Sequence, residues 1–385
     1  MRVLIAVTHL LGSGHLARAR TLAMAFAEAG HDAMLVSGGV PVGHLAPPPG
    51  VRVVQLPPVG SDGADFTRLL TPEGDPVSAE RLAARAAMLT AAVADFRPAV
   101  VITELYPFGR RTLRAEFDAL LDAAAALTPR PRILASVRDI LAPPSKPARA
   151  AETEAVLARH YDAVLVHSDP ADIPLDASWP VTPWLAARLR YTGYIAPPPP
   201  GPVAGDPDTV IVSAGGADVG AALFETALAA SVAGRRWHLL VGGGRAEAEC
   251  ARLARLAAAL PGTPRVVIEP VRPDFRSLLA AAGASVSLCG YNTALDLLAT
   301  GTPGVFVPFD AGRETEQRIR AERLARRPHF AKVPAADLTP AALLAALDRV
   351  TAAGRFAPDP GRLAGARASV VIAERLMAES LTDAR

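Results

Sequence analysis

Residues 289–324 read CGYNTALDLLATGTPGVFVPFDAGRETEQRIRAERL. The turn Gly290-Tyr291-Asn292-Thr293 opens a segment of helical period, and Gly301-Thr302-Pro303 stops it. A short apolar run at 305–307 follows and ends at Pro308. After a polar loop, a second helix is expected from Glu316-Gln317. One stretch therefore holds two junctions of strand into helix. This alternation builds parallel α/β sheets. Each junction offers free backbone N–H groups, which hold phosphate and sugar oxygens well.

The same alternation extends in both directions. Upstream in the second half, 209–213, 237–241, 265–269 and 284–288 read as strands. Helices are expected there from Ala221, Glu247, Phe275, Thr293 and Glu316. In the first half, strands are expected at 3–7, 33–36, 51–55, 100–103, 132–136 and 163–167. Helices are expected at 17–29, 78–94 and 112–126, with Pro47-Pro48-Pro49-Gly50 and Pro143-Pro144-Ser145-Lys146-Pro147 as loops. The prolines at 197–200 keep the chain extended and semi-rigid, which suits a hinge between two lobes. The fold class predicted is α/β, with Rossmann-like parallel-sheet domains at 1–195 and 209–361 facing across a cleft. Residues 196–208 are read as the linker, and 362–385 as a helix crossing back to the first domain.

Bulk properties agree. A chain of 385 residues is long for one core. Half of it is hydrophobic but only 5% is aromatic, a balance that favours helix-rich α/β layers. A formal charge of +2 and scattered arginines exclude a nucleic-acid footprint. Cys250 and Cys289 have neither metal-ligand spacing nor a disulfide framework, as expected of a reduced cytoplasmic protein. No apolar run reaches the roughly 20 residues that a spanning helix needs, so membrane contact is at most peripheral.

Chemistry is expected at the carboxyl ends of the strands, where open α/β sheets bind ligands. After the first strand, Gly12-Ser13-Gly14 permits a tight turn before His15. Imidazole titrates near neutrality, so His15 is the candidate general base; the alternative is a histidine that only hydrates the first helical turn. Arg18 either contacts a phosphate or pairs with a surface acid, and His9 is a secondary candidate. A dinucleotide fingerprint is excluded because Ala17 stands where its third glycine would be. Glu104 and Asp139 end first-domain strands and are placed, with Gly12, Ser13 and Gly14, on the acceptor side; capping is the alternative for Asp139.

In the second half, Ser213, Gly215 and Gly216 form a glycine turn suited to a diphosphate, or else a purely structural turn. Gly243 and Arg245 follow the next strand and either abut a nucleobase or form a flexible turn with a solvated arginine. Gly290, Tyr291, Asn292 and Thr293 turn strand into helix, with Asn292 and Thr293 able to donate to phosphate oxygens. Asp296, one turn on, can accept from ribose hydroxyls, and Glu316 and Gln317 can grip a sugar, with Arg320 pairing to Glu316. Asp206-Pro207-Asp208 spells a metal motif in the linker and is rejected; no His/Cys/Asp cluster suggests a catalytic metal.

Taken together, 3–39 with Gly12-Ser13-Gly14-His15-Leu16-Ala17-Arg18, 136–139 and 290–321 resemble a bacterial group of predicted glycosyltransferases. That group is related to the peptidoglycan N-acetylglucosaminyltransferase and its family 28 C-terminal domain. The resemblance implies the GT-B fold, a nucleotide-sugar donor in the C-terminal lobe and an acceptor in the N-terminal lobe. In related transferases the acid at position 296 is usually glutamate, so Asp296 is one methylene shorter. The implied reaction is inverting hexosyl transfer, independent of metal and of any cofactor, with a UDP-sugar as favoured donor. The acceptor, a small molecule, glycan or lipid-linked group, is open. The same loop resembles that of a nucleotide-sugar hydrolase in which histidine activates water. A non-catalytic nucleotide-sugar sensor or accessory subunit is the third reading.

Overall fold

The computed structural model describes residues 1–43, 45, 47–61, 68–196, 200–201, 203–215, 220–231, 234–261, 265–309 and 315–383. The chain divides into two compact units: unit 1 is 1–195 with 361–385, and unit 2 is 196–360. The expected linker prolines at 197–199 lie outside the described residues.

Unit 1 begins β1 (Arg2–Val7), α1 (Gly14–Glu28), β2 (Asp32–Gly39), β3 (Val51–Val59), α2 (Ala79–Phe96) and β4 (Val100–Glu104). It continues α3 (Arg114–Ala125), β5 (Arg132–Arg138), α4 (Pro147–His160), β6 (Ala163–His167), α5 (Pro183–Ala186) and β7 (Leu189–Tyr191). The strands form one parallel sheet in the order β3-β2-β1-β4-β5-β6-β7. Alternation along β1 builds a core on each face. Val3, Ile5 and Val7 pack with Leu16, Leu22 and Phe26 of α1, whereas Leu4 and Ala6 pack with Leu89 and Val93 of α2 and Phe117 of α3.

Unit 2 repeats the plan. It holds β8 (Asp206–Ser213), α6 (Ala221–Ala230), β9 (Arg236–Val241), α7 (Ala246–Ala258), β10 (Val266–Pro270) and α8 (Phe275–Ala281). There follow β11 (Ala282–Ser287), α9 (Tyr291–Thr300), β12 (Gly304–Phe306), α10 (Glu316–Leu324), β13 (Phe330–Lys332) and α11 (Pro340–Ala353). Its parallel sheet has the order β10-β9-β8-β11-β12-β13. After α12 (Pro360–Leu363), α13 (Gly365–Asp383) lays Val370, Ala373 and Leu376 into the α1 face of unit 1.

Some elements differ from the sequence expectation. The 143–147 proline stretch is a loop only to Lys146; Pro147 then opens α4, where its missing N–H costs nothing. The strand β8 starts at Asp206, inside the stretch read as linker, and Asp206 accepts from Thr209 Oγ1 at 2.7 Å and Arg236 Nη2 at 2.7 Å. Neither β7 nor β13 was expected, each being three residues long. Among the described residues no helix is long and apolar enough to cross a membrane.

Candidate functional site

In both sheets the strand order reverses beside the first strand, at β1/β4 in unit 1 and at β8/β11 in unit 2. Loops leaving the carboxyl ends on either side of such a reversal diverge and open a ligand crevice. In unit 1 the chain leaves β1 through Thr8 and His9 and turns at Gly12, whose φ of 63° suits glycine. Ser13 then caps α1 without a side-chain cap hydrogen bond, which leaves first-turn N–H groups open. His15 sits in that turn, partly exposed.

His15 Nδ1 lies 2.8 Å from Oε1 of Glu104, the last residue of β4. Arg18 pairs with the same carboxylate oxygen, its Nη2 standing 2.9 Å from His15 Nδ1. A carboxylate only accepts, so Nδ1 carries the proton and Nε2 keeps its lone pair. Among the described residues Nε2 has no hydrogen-bond partner. Burial pushes the imidazole down to about 4, against the pull of Glu104, and the charges of Arg18 and Arg110 act with burial. Burial also pushes Glu104 up, but the Arg18 charge and the His15 hydrogen bond outweigh it and hold the carboxyl well below its usual range.

Glu104 is anchored from behind. Ser136 Oγ donates to Oε2 at 2.6 Å, and His167 Nε2 lies 2.9 Å from that hydroxyl. With the serine proton spent on the carboxylate, His167 donates through Nε2–H, and its Nδ1 faces Thr192 Oγ1 at 2.8 Å. Burial pushes His167 down to about 3, with the Arg18 charge in the same direction, so it is neutral. Sequence reasoning missed His167; the only signal was a histidine ending a wholly buried strand.

Two residues expected on the acceptor side are buried. Glu104 is only 2% exposed and stands behind His15, because a buried carboxylate needs donors on both oxygens. Asp139 is 1% exposed, and its Oδ1 accepts from the Ile140 N–H at 2.8 Å, so it shapes its own loop. The acid that pairs with Arg18 is buried Glu104 and not a surface group.

In unit 2, Ser213 ends β8 with its Oγ accepting from the Gly215 N–H at 3.2 Å. Gly215 has a φ of 76°; Gly216 lies outside the described residues. Gly243 and Arg245 follow β9, Arg245 being the N-cap residue of α7. Gly290 is the N-cap of α9 and brings no capping side chain to the first turn, Tyr291, Asn292 and Thr293, where Asn292 is exposed. Asp296, one turn on, lies 2.9 Å from Arg276 Nε of α8. Burial pushes Asp296 up to about 6, with Arg276 opposing.

The start of α10 is tied to this turn. Buried Arg320 donates through Nη1 to the Cys289 carbonyl at 2.9 Å and through Nη2 to Glu316 at 2.8 Å, with its guanidinium 5.6 Å from the Tyr291 ring centroid. Gln317 Oε1 accepts from the Phe309 N–H at 3.0 Å. Glu316 and Gln317, expected at a sugar, thus hold backbone in place, Glu316 through Arg320 and Gln317 directly. Among the described residues no group of three or more His, Cys, Asp or Glu is placed to hold a metal ion.

Residues 231–369 match the glycosyltransferase family 28 C-terminal domain, which takes in the first turn of α9 and the start of α10. The family match thus lies on the second half of the chain, and the fold of the whole chain is GT-B. Solved structures share the fold over nearly its whole length. MurG of Acinetobacter baumannii is 14% identical, covering 97% of this chain and 100% of its own, with a TM-score of 0.63. A UDP-glucosyltransferase from Polygonum tinctorium is 14% identical, covering 98% and 94%, with a TM-score of 0.61. The glycosyltransferase VinC, solved in complex with DTDP, is 18% identical, covering 100% and 98%, with a TM-score of 0.55. No curated protein matches the chain. At these identities the likeness establishes the GT-B fold.

Proposed function

We propose that this protein is a glycosyltransferase that inverts the anomeric carbon of a nucleotide-diphosphate sugar, using His15 as the base and no metal ion. One observation carries the reading: His15 Nδ1 is fixed on Glu104 at 2.8 Å, which leaves Nε2 as an unprotonated base at the β1/β4 reversal. Nε2 takes the proton of an acceptor hydroxyl as its oxygen bonds to the anomeric carbon. The bond from that carbon to the diphosphate breaks, and the nucleoside diphosphate leaves with the electron pair. The imidazolium formed faces the Glu104 carboxylate, which stabilises it, and later returns its proton to solvent.

In this reading unit 1 is the acceptor domain and unit 2 the donor domain. The first turn of α9 and the Ser213-Gly215 turn meet the diphosphate, and preorganised donors of this kind contribute about 3 kcal/mol each. Asn292 and Thr293 donate to phosphate, Asp296 accepts from ribose hydroxyls, Glu316 and Gln317 grip the sugar, and Gly243 with Arg245 borders the base. A UDP-sugar is the favoured donor, and the VinC complex keeps dTDP-sugars in the comparison.

The test is nucleoside diphosphate release from UDP-, GDP- and dTDP-sugars without acceptor, by wild type and His15→Ala. One nucleotide sugar bound with only trace release is the expected result and identifies the donor. Fast release abolished by His15→Ala would instead mean that the same base activates water, a hydrolase.

A further inference from the structure

Half-buried Arg110 differs from Arg18, which Glu104 holds, because no carboxylate is paired with it. Its Nε donates to the Thr8 carbonyl at 2.6 Å, and among the described residues it makes no ion pair. Its backbone lies in the left-handed region at φ 60°, as does that of Leu105 at φ 70°. The connection from Glu104 to α3 thus contains two non-glycine residues in a conformation that side chains avoid, which persists only where the surroundings impose it. The consequence is positional: the guanidinium is drawn back to the carboxyl end of β1, within electrostatic reach of His15, Glu104, Arg18 and Arg138.

The local charges do not balance around it. Glu104, the acid in reach, already accepts from His15, Arg18 and Ser136. Arg138 donates to the Ile140 carbonyl at 3.1 Å and adds positive charge. Burial pushes Arg110 down to about 10, with Glu104 opposing and Arg138 and Arg18 acting with burial, so it is still charged at neutral pH. A half-buried guanidinium without a counter-ion is a site for one, and its free fork matches a carboxylate or phosphate.

We infer that Arg110 binds a carboxylate or phosphate group of the acceptor, so that the acceptor class is anionic and its hydroxyl is presented to His15. This inference rests on the reading of unit 1 as the acceptor domain. The anion has two possible sources, the acceptor or the diphosphate of the donor, and the test separates them.

The full chain is titrated calorimetrically with inorganic phosphate, alone and with saturating UDP, as wild type, Arg110→Gln and Arg110→Gly. The glycine variant accepts the left-handed backbone and removes only the side chain. Expected are millimolar phosphate binding that is unchanged by UDP, and a loss of roughly tenfold or more in both variants with UDP affinity retained. Equal phosphate affinity in wild type and variants, or no phosphate binding by wild type, overturns the inference. Competition between phosphate and UDP assigns the anion to the donor and overturns the acceptor assignment. Failure of UDP to bind would count against UDP as the donor nucleotide, while the phosphate comparison would still decide the role of Arg110.

Discussion

His15 and Glu104 are 89 positions apart, yet imidazole Nδ1 and carboxylate Oε1 stand 2.8 Å from each other. Strand order makes the meeting possible: β1 pairs with β4 in a register that sets Ala6 against Thr103, and each residue leaves the same end of its strand. Glu104→Gln removes the charge that orients the ring and stabilises its protonated form. Sugar transfer, read as kcat/KM, is expected to fall about 10²–10⁴-fold. Donor binding, read by calorimetry, is expected to stay the same. Transfer at the wild-type rate would refute the pairing as part of the machinery.

The acid side of the pH profile follows from the same pair. Burial holds His15 down at about 4 instead of its ordinary 6.5, so the neutral base is present at neutral pH and lost as pH falls through about 4. The expected kcat/KM profile is flat from about pH 5 upward, with an acid limb near 4. A limb near 6.5 would show that the ring is not in this environment. The sign for stability is the same: with the folded value below the unfolded one, the contribution is full above 6.5 and disappears as pH falls towards 4.

How much of this was legible in the sequence depended on distance along the chain. The turn at 290–293, Asp296 and the start of α10 lie on one contiguous stretch, so their order in sequence is nearly their order in space. Strands such as β1 and β6 were legible as buried apolar runs, whereas LRY of β7 and FAK of β13 are too short to show a period. The role of Glu104 was not legible, because it depends on β4 being placed beside β1, which no local pattern encodes. Arg110 was invisible for the same reason: its place follows from two left-handed residues and a carbonyl of β1's outgoing loop.

Arg85 tests what holds that end of the sheet. It is fully buried, bidentate to Glu116 at 2.7 Å, and donates to the carbonyls of Gly38 at 2.7 Å and Pro57 at 2.6 Å and to Thr8 Oγ1 at 3.1 Å. Arg85→Met leaves a buried carboxylate and two carbonyls without donors, which is expected to cost about 3–5 kcal/mol. Adding Glu116→Met is expected to recover part of that loss, since the unpaired charge is gone. Urea unfolding followed through Trp179 and Trp184 of unit 1 measures both. A single variant as stable as wild type would show that the cluster is dispensable.

Arg320 ties the two junctions of the opening sequence stretch together. Its fork reaches the Cys289 carbonyl ahead of α9 and the Glu316 carboxylate at the start of α10. Lysine retains the charge but has one compact donor group in place of a planar fork, so Arg320→Lys satisfies one partner at the expense of the other. The first turn of α9 then loses its fixed place relative to Glu316 and Gln317. UDP affinity, measured by calorimetry, is expected to fall roughly tenfold, the equivalent of losing one well-placed hydrogen bond to a charged group. The acid limb set by His15 is expected to stay where it is, because Arg320 belongs to the other unit. Unchanged UDP affinity in a properly folded Arg320→Lys variant would remove these junctions from the donor site, and an altered acid limb would show that the two units do not act on the reaction separately.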